Sequence, residues 1–402
     1  MTPKMQKTKI ALGSTTHMVT DIYASFIVGM IPILTARFGL SLFLVSLLTA
    51  VSFVSANLTQ PIFGYLSDKY GTKNLLIAGP LVASIFLSMI GIAPTYWVVI
   101  IFLIIGKLGV SAIHPPSAAI ANYFGGKRKG FSNSLMSFGG TIGFSLGSLF
   151  IIYIIEKLGL KFTPIAAIPG IIIALVMVKY APEINIRSSK SYSIGFWDKI
   201  KKVKRSKVSL LVLIMFVAYS RDLIGFTLLT FMPLYFTNLG VSMINFGYIV
   251  MAFILIGGIG GLISGYFSDR IQRRTTVIQV SILLSIPCIL AIFYVPVGAG
   301  IFLFILSGFF AISTLPLCIR IAQDIFPGNV SLASSFVLGV STGSASATLM
   351  LVGKIADSIG MVTTIKYVTI FPLAGSLLLF LFPLIQKRIR ETQNIPDVNI
   401  EK

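Results

Sequence analysis

Apolar residues run through this chain in long unbroken blocks, with polar residues confined to the short gaps between them. Twelve blocks can be counted, at about 11–34, 42–66, 74–93, 97–121, 132–155, 162–179, 208–236, 243–267, 275–295, 300–323, 332–353 and 363–385. Each is close to the ~20 residues that a helix needs to cross a ~30 Å hydrocarbon layer. The blocks do not alternate with a period of two, and they are too long for barrel strands. The pattern predicts an all-α membrane protein of twelve transmembrane helices.

The chain also repeats itself. Gly64-Tyr65-Leu66-Ser67-Asp68-Lys69 returns as Gly265-Tyr266-Phe267-Ser268-Asp269-Arg270, 201 residues later. Asp21 and Pro32 return as Asp222 and Pro233 at the same offset. A shared offset at separated positions marks a duplication, which predicts two six-helix bundles, 1–180 and 208–402, joined by a basic linker at 181–207 and followed by a short tail.

Composition agrees: 55 % of the 402 residues are hydrophobic and 11 % are charged, against about 25 % charged in soluble domains. The net charge of +20 does not point to nucleic acid. Of the 32 lysines and arginines, 23 fall in segments on one side of a twelve-span model and five on the other. This asymmetry predicts a multi-pass protein of the cell (inner) membrane with both termini in the cytoplasm. The basic linker suits a tether against anionic inner-leaflet lipids. Although three lysines precede the first apolar block, His17 and Asp21 lie within it and no cleavage site follows, so a retained helix is expected. Cys288 and Cys318 lie inside apolar blocks and read as core residues. No zinc-type ligand spacing and no phosphate-binding loop occurs in the sequence, so no metal, cofactor or ATP-driven step is expected, and the short loops leave no room for a catalytic domain. A channel or a polytopic enzyme is disfavoured for the same reason.

The stretch Gly64-Tyr65-Leu66-Ser67-Asp68-Lys69-Tyr70-Gly71-Thr72-Lys73 resembles the loop between helices 2 and 3 of the major facilitator superfamily, G-x-L-[SA]-D-[RK]-x-G-[RK]-[RK]. In the second copy Gln272 stands where the second glycine would be. A narrower resemblance, to the fosmidomycin-resistance-type branch, rests on several short matches. They are His17-Met18-Val19-Thr20-Asp21 with Pro32, Gln60-Pro61, Ile113-His114-Pro115, Gly139-Gly140 with Gly143 and Gly147, and Ala322-Gln323-Asp324 with Pro327-Gly328. The resemblance implies a secondary transporter, with members of that branch being proton-driven exporters. It also implies that Gly64, Asp68, Lys69, Gly71, Gly265, Asp269 and Arg270 form gating motifs that lock the cytoplasmic side in one state. Ser148 follows Gly147 where family antiporters usually carry a proline, so the antiporter signature is incomplete.

The buried charges are not spread evenly. They are His17 and Asp21 in span 1, Lys107 and His114 in span 4, Arg221 and Asp222 in span 7, and Arg320 and Asp324 in span 10. A charge at the bilayer centre costs several kcal/mol, roughly 2.5–3.5 on insertion scales, so such groups face a cavity or a partner. In the superfamily these four helices line the central cavity. Asp21, about 15 Å into its helix at 1.5 Å per residue, is the first choice for proton coupling. His17 sits one turn earlier on the same face, and Asp222 is its repeat mate. The competing expectation is a structural carboxylate paired permanently with Lys107 or Arg221. Lys107, Arg221, Arg320 and His114 are candidates to bind substrate, with Arg able to grip an anion through two hydrogen bonds; the two prolines after His114 equally suit a helix bend. Glycines at every fourth position, 139/143/147 and 257/261/265, are expected to bring backbones together, and Gly64 and Gly265 to admit a neighbouring helix. The expected function is proton-coupled efflux of a small drug-like compound, an anion being compatible with the buried basic groups, by a monomer. The alternative is a symporter or exchanger for an organic anion or other metabolite.

Overall fold

The structure is a computed structural model that describes residues 3–126, 129–182, 184, 205–271, 273–325, 333–334 and 336–385. Most of the expected linker, 181–207, and the tail beyond 385 lie outside the described residues, as do the side chains of Asp68 and Asp269.

Twelve helices are long and apolar enough to cross a membrane: α1 Gln6–Phe38, α2 Leu42–Ser67, α3 Lys73–Ile92, α4 Tyr96–Phe124, α5 Ser132–Leu158, α6 Leu160–Tyr180, α7 Val208–Asn238, α8 Met243–Ser268, α9 Arg274–Tyr294, α10 Val297–Ile325, α11 Phe336–Ile359 and α12 Met361–Ile385. The apolar blocks match these helices one for one. No strand occurs among the described residues.

Several helices are interrupted. α1 breaks at Ser25, α2 at Leu58–Thr59 ahead of Pro61, and α10 at Ser313–Thr314 ahead of Pro316. Proline lacks the N–H and its ring crowds the preceding turn, which accounts for the second and third breaks. The duplication is visible in the backbone as well. The turns after α1 and α7 hinge on Gly39 (φ +61°) and Gly240 (φ +84°), and those after α5 and α11 on Gly159 (φ +96°) and Gly360 (φ +86°). Both pairs keep the 201-residue offset, because a left-handed turn residue is best supplied by glycine.

The chain packs as two units. The first holds Met1–Arg187, Leu228–Leu255 and Ser346–Ser358; the second holds Ser188–Thr227, Ile256–Ala345 and Ile359–Lys402. The first unit thus gathers α1–α6 together with the end of α7, the start of α8 and the later part of α11.

In the first unit the glycine ladder of α5 lies on the backbone of α1. An added Cβ would sit 2.5 Å from Ser14 Oγ at Gly139, 2.0 Å from the Met18 carbonyl oxygen at Gly143 and 1.8 Å from that of Ile22 at Gly147. Both helices advance by four residues per contact, so only glycine allows this approach. In the second unit the packing differs from expectation. Gly257 and Gly260 press on α10, where a Cβ would meet Ile312 Cδ1 at 2.4 Å and the Phe309 carbonyl at 2.3 Å. Gly261 meets only Pro316 at 3.7 Å, and a Cβ at Gly265 meets nothing within 4 Å. The helix presents its i, i+3 row to α10 instead of the i, i+4 row. Gly64 is likewise unpressed, with Pro115 Cβ 3.9 Å away as its nearest neighbour, so neither motif glycine admits a neighbouring helix here.

Candidate functional site

His17 and Asp21 share one face of α1, and α4 brings His114 against them from 97 residues away. His17 Nε2 lies 3.2 Å from Asp21 Oδ2 and 2.9 Å from His114 Nδ1, while His114 Nε2 is 4.0 Å from Asp21 Oδ1. The two rings meet edge-on with centroids 4.9 Å apart. Asp21 is only 8 % exposed, as is His17. Gly140 makes the floor of the group, since a Cβ there would lie 2.7 Å from Asp21 Oδ2.

The hydrogens can be counted. The Met136 carbonyl, 3.1 Å from His17 Nδ1, can only accept, so Nδ1 carries a proton. In a neutral ring Nε2 is then a lone pair, which His114 Nδ1–H satisfies. With both rings neutral, the contact between Nε2 and Asp21 Oδ2 would hold no hydrogen, a lone pair facing a carboxylate. One more proton, on either atom, turns that contact into a hydrogen bond. Asp21 Oδ1 is buried and has no hydrogen-bond partner. The geometry of the group thus accommodates either protonation state of the His17–Asp21 contact. The sequence spacing shows no metal-ligand set, yet folding places one ligand-type atom from each of His17, Asp21 and His114 within 4.8 Å of one another. The 2.9 Å bond between the imidazoles engages a lone pair that a metal would need.

Lys107 lies near this group but is turned away from it. It is 1 % exposed, its ammonium donates to the Ala24 carbonyl, and it sits 5.5 Å from the centre of the Phe53 ring. The acceptor exists because α1 breaks. Val28 N–H bonds back to the Ser25 carbonyl at 3.0 Å, which releases Ala24 C=O from its usual helical partner. Ser148 of α5 donates to the Ser25 carbonyl at 2.9 Å, tying the break from the other side.

The second unit holds the repeat mate. Arg221 Nη1 lies 2.7 Å from Asp222 Oδ1 without the alignment of a hydrogen bond, so the two are paired by charge. Arg221 Nε donates to the Ala311 carbonyl of α10 at 3.1 Å, and Thr342 of α11 donates to Asp222 Oδ2 at 2.7 Å. Asp324 accepts from Arg274 of α9 and lies 3.4 Å from Arg320 Nε one turn earlier. The Arg320 side chain is 58 % exposed, the most open of the candidate basic groups. Lys69 is exposed, with its ammonium 5.0 Å from the Tyr70 ring; Arg270 is exposed too. Gly71 has φ +84°, which explains the glycine at that motif position.

Sequence reasoning picked out His17, Asp21, Arg221 and Asp222, and the structure joins each neighbouring pair. His114 falls with the proton-type groups, not with the arginines. Met136, Thr342 and Arg274 were not singled out. Met136 acts through its backbone, which no side-chain pattern can reveal. Arg274 had a signal, as the last basic residue of the second loop motif.

A twelve-helix bundle with its ionisable side chains buried in mid-helix is the build of a membrane transporter. The model for the Major Facilitator Superfamily matches residues 14–336, and the chain belongs to that family. It is 26 % identical over 374 residues to the fosmidomycin resistance protein of Escherichia coli strain K12, covering 92 % of this chain and 91 % of that one. It is 25 % identical over 306 residues to the gentisate transporter of Corynebacterium glutamicum, covering 72 % of this chain and 68 % of that one. Among solved structures it is similar to a bacterial homologue of the human lysosomal transporter Spinster, inward-facing and unoccupied, with a TM-score of 0.77, 16 % identity and 96 % and 98 % coverage of the two chains.

Proposed function

We propose that this transporter works by alternating access and exports a small drug-like compound in exchange for protons, from the cell (inner) membrane with both termini in the cytoplasm. The observation that carries proton coupling is the buried His17–Asp21–His114 group, in which Asp21 Oδ1 has no hydrogen-bond partner. The proton enters at Asp21 and His17 from the outer side and leaves to the cytoplasm as the group changes its exposure. Asp222 is neutralised by Arg221 and holds α7 to α11 through Thr342. An anionic substrate meets Arg320 first, because its guanidinium is the most open; Arg221 and Lys107 shape the charge of the path while held by Asp222 and Ala24. The two loop motifs around Asp68 and Asp269 gate the cytoplasmic side, the bundles 1–180 and 208–402 rock about the basic linker, and a monomer suffices. Likeness to a protein named for fosmidomycin resistance supports export.

A second reading, uptake or exchange of an organic anion, is favoured by Ser148 in place of the antiporter proline and by the likeness to a gentisate transporter. One experiment separates the possibilities. The protein is reconstituted in vesicles of one orientation, a pH gradient of either sign is imposed, and a panel of labelled drug-like and organic anions is followed. Export against an inward proton gradient is expected. Asp21→Asn is expected to lose gradient-driven movement by about 100-fold while keeping substrate exchange. Unchanged pH-driven transport in Asp21→Asn would sink proton coupling at this residue, and accumulation with the proton gradient would establish uptake.

A further inference from the structure

The helix ends at the membrane face opposite the chain termini carry two carboxylates that neither the motifs nor the buried charges involve. Asp357, near the end of α11, accepts from the Leu42 N–H at 2.7 Å and from the Phe43 N–H at 3.0 Å. These are the first residues of α2. Glu156, near the end of α5, accepts from the Ile244 N–H at 3.0 Å, at the start of α8. All the residues involved belong to the first unit.

The two contacts are the same contact made twice. Asp357 is Glu156 displaced by 201 residues, and Ile244 is Phe43 displaced by 201. The helix starts are built alike too. Ser41 Oγ accepts from Leu44 N–H at 3.3 Å, and its mate Ser242 Oγ accepts from Asn245 N–H at 3.4 Å. Each helix therefore caps one early N–H with its own serine and offers the one before it to a carboxylate from the other half of the sequence. The seams beneath repeat as well. A Cβ at Gly353 of α11 would lie 2.5 Å from Ser46 Cβ of α2; one at Gly247 of α8 would lie 3.0 Å from Leu149 Cδ1 and 3.3 Å from Ile152 Cδ1 of α5. Ser46 and Gly247 are repeat mates, as are Ile152 and Gly353.

We infer that Glu156 and Asp357 are a pair of latches that hold the outer face of the transporter shut, each by seating a carboxylate on the N-terminus of a helix from the opposite half. A carboxylate is favoured there because the first N–H groups have no helical partners and the helix dipole is positive at that end. Both carboxylates are exposed, so each contact is weak and screened by water. A gate that opens once per cycle needs that: enough bias to close, little enough to release. The repeat makes the two break together as α2 leaves α11 and α8 leaves α5.

The inference rests on alternating access and on the proposed cytoplasmic termini and not on proton coupling, so its failure and that of Asp21 are told apart. The test replaces Cys288 with Ala and Ile152 with Cys, which is fully buried in the α5–α8 seam. Labelling by a membrane-impermeant maleimide added at the outer face is timed, with the native, buried Cys318 as an internal control. Protection is expected in this parent. Glu156→Gln should speed labelling about twofold, Asp357→Asn about threefold because it serves two N–H groups, and both together about tenfold, with Cys318 unchanged. Asp357→Glu, which keeps the charge, should stay near the parent. Labelling of the double variant at the parental rate would overturn the latch, as would Cys318 accelerating in parallel, which would mark a loosened fold.

Discussion

Asp21 and Asp222 occupy equivalent places in the two repeats, and their surroundings have diverged. Asp21 faces two imidazoles and keeps one oxygen without a partner. Asp222 has a guanidinium at 2.7 Å and a threonine hydroxyl on its other oxygen. Imidazole is the side chain that gains and loses its proton near neutral pH, whereas guanidinium stays charged throughout. The substitution that matters most is one position upstream, where Thr20 stands in one repeat and Arg221 in the other. Thr20 only bonds back to the Thr16 carbonyl, leaving the carboxyl open to titratable neighbours. The same inherited carboxylate thus lies beside two imidazoles in one half and beside a guanidinium and a hydroxyl in the other.

Removing one member of the fixed pair should have the largest effect. Asp222→Asn leaves the Arg221 charge buried without its partner, and a stability loss of about 3–5 kcal/mol is expected. Thermal unfolding in detergent should show it, and Arg221→Met combined with Asp222→Asn should recover most of the loss. Asp21→Asn should lose far less, because neutral imidazoles can still bond to an amide. Equal losses at the two aspartates would erase the distinction.

The helix contacts beside the two sites offer a second contrast. Gly147→Ala would force a methyl group to 1.8 Å from the Ile22 carbonyl oxygen, and about 1–3 kcal/mol or more of destabilisation is expected from overpacking the α1–α5 seam. Gly265→Ala meets open space and should stay within about 0.5 kcal/mol of the parent. A parallel drop in unfolding temperature for both would show that Gly265 is pressed in a way this conformation does not reveal.

A small effect on stability, and a clear one on the pH dependence of transport, is expected at His17. His17→Gln can keep a donor toward the Met136 carbonyl and should change stability by about 1 kcal/mol or less. It removes an ionisable ring from beside Asp21, so the pH dependence of transport should lose its step between about pH 5 and 8. A profile that keeps the parental midpoint would place the exchangeable proton elsewhere.

The fold was legible in the sequence because membrane insertion is a local property. Twenty apolar residues make a span wherever they occur, and all twelve helices were readable from block length alone. The four charged spans were readable for the same reason, since a charge is conspicuous in an apolar run. What those charges do was less legible. Lys107 reads as a substrate-binding cation or as a partner for Asp21, but the break at Ser25 opens a carbonyl and the ammonium takes it. His114 reads equally as a bend marker before two prolines, until α4 turns it onto His17. Spacing marks Gly261 and Gly265 as a packing ladder, but α8 is rotated so that Gly257 and Gly260 meet α10 instead.

The sequence by itself determined the number of helices, the duplication and the family, since these depend on residue type and order along the chain. Only the tertiary structure decided which buried groups are partners and which carboxylates meet the starts of α2 and α8. Hydrogen bonds need alignment to within a few tenths of an ångström. That alignment is set by helix rotation, breaks and glycine-mediated approach between segments about 100 to 300 residues apart, none of which is written in the local pattern.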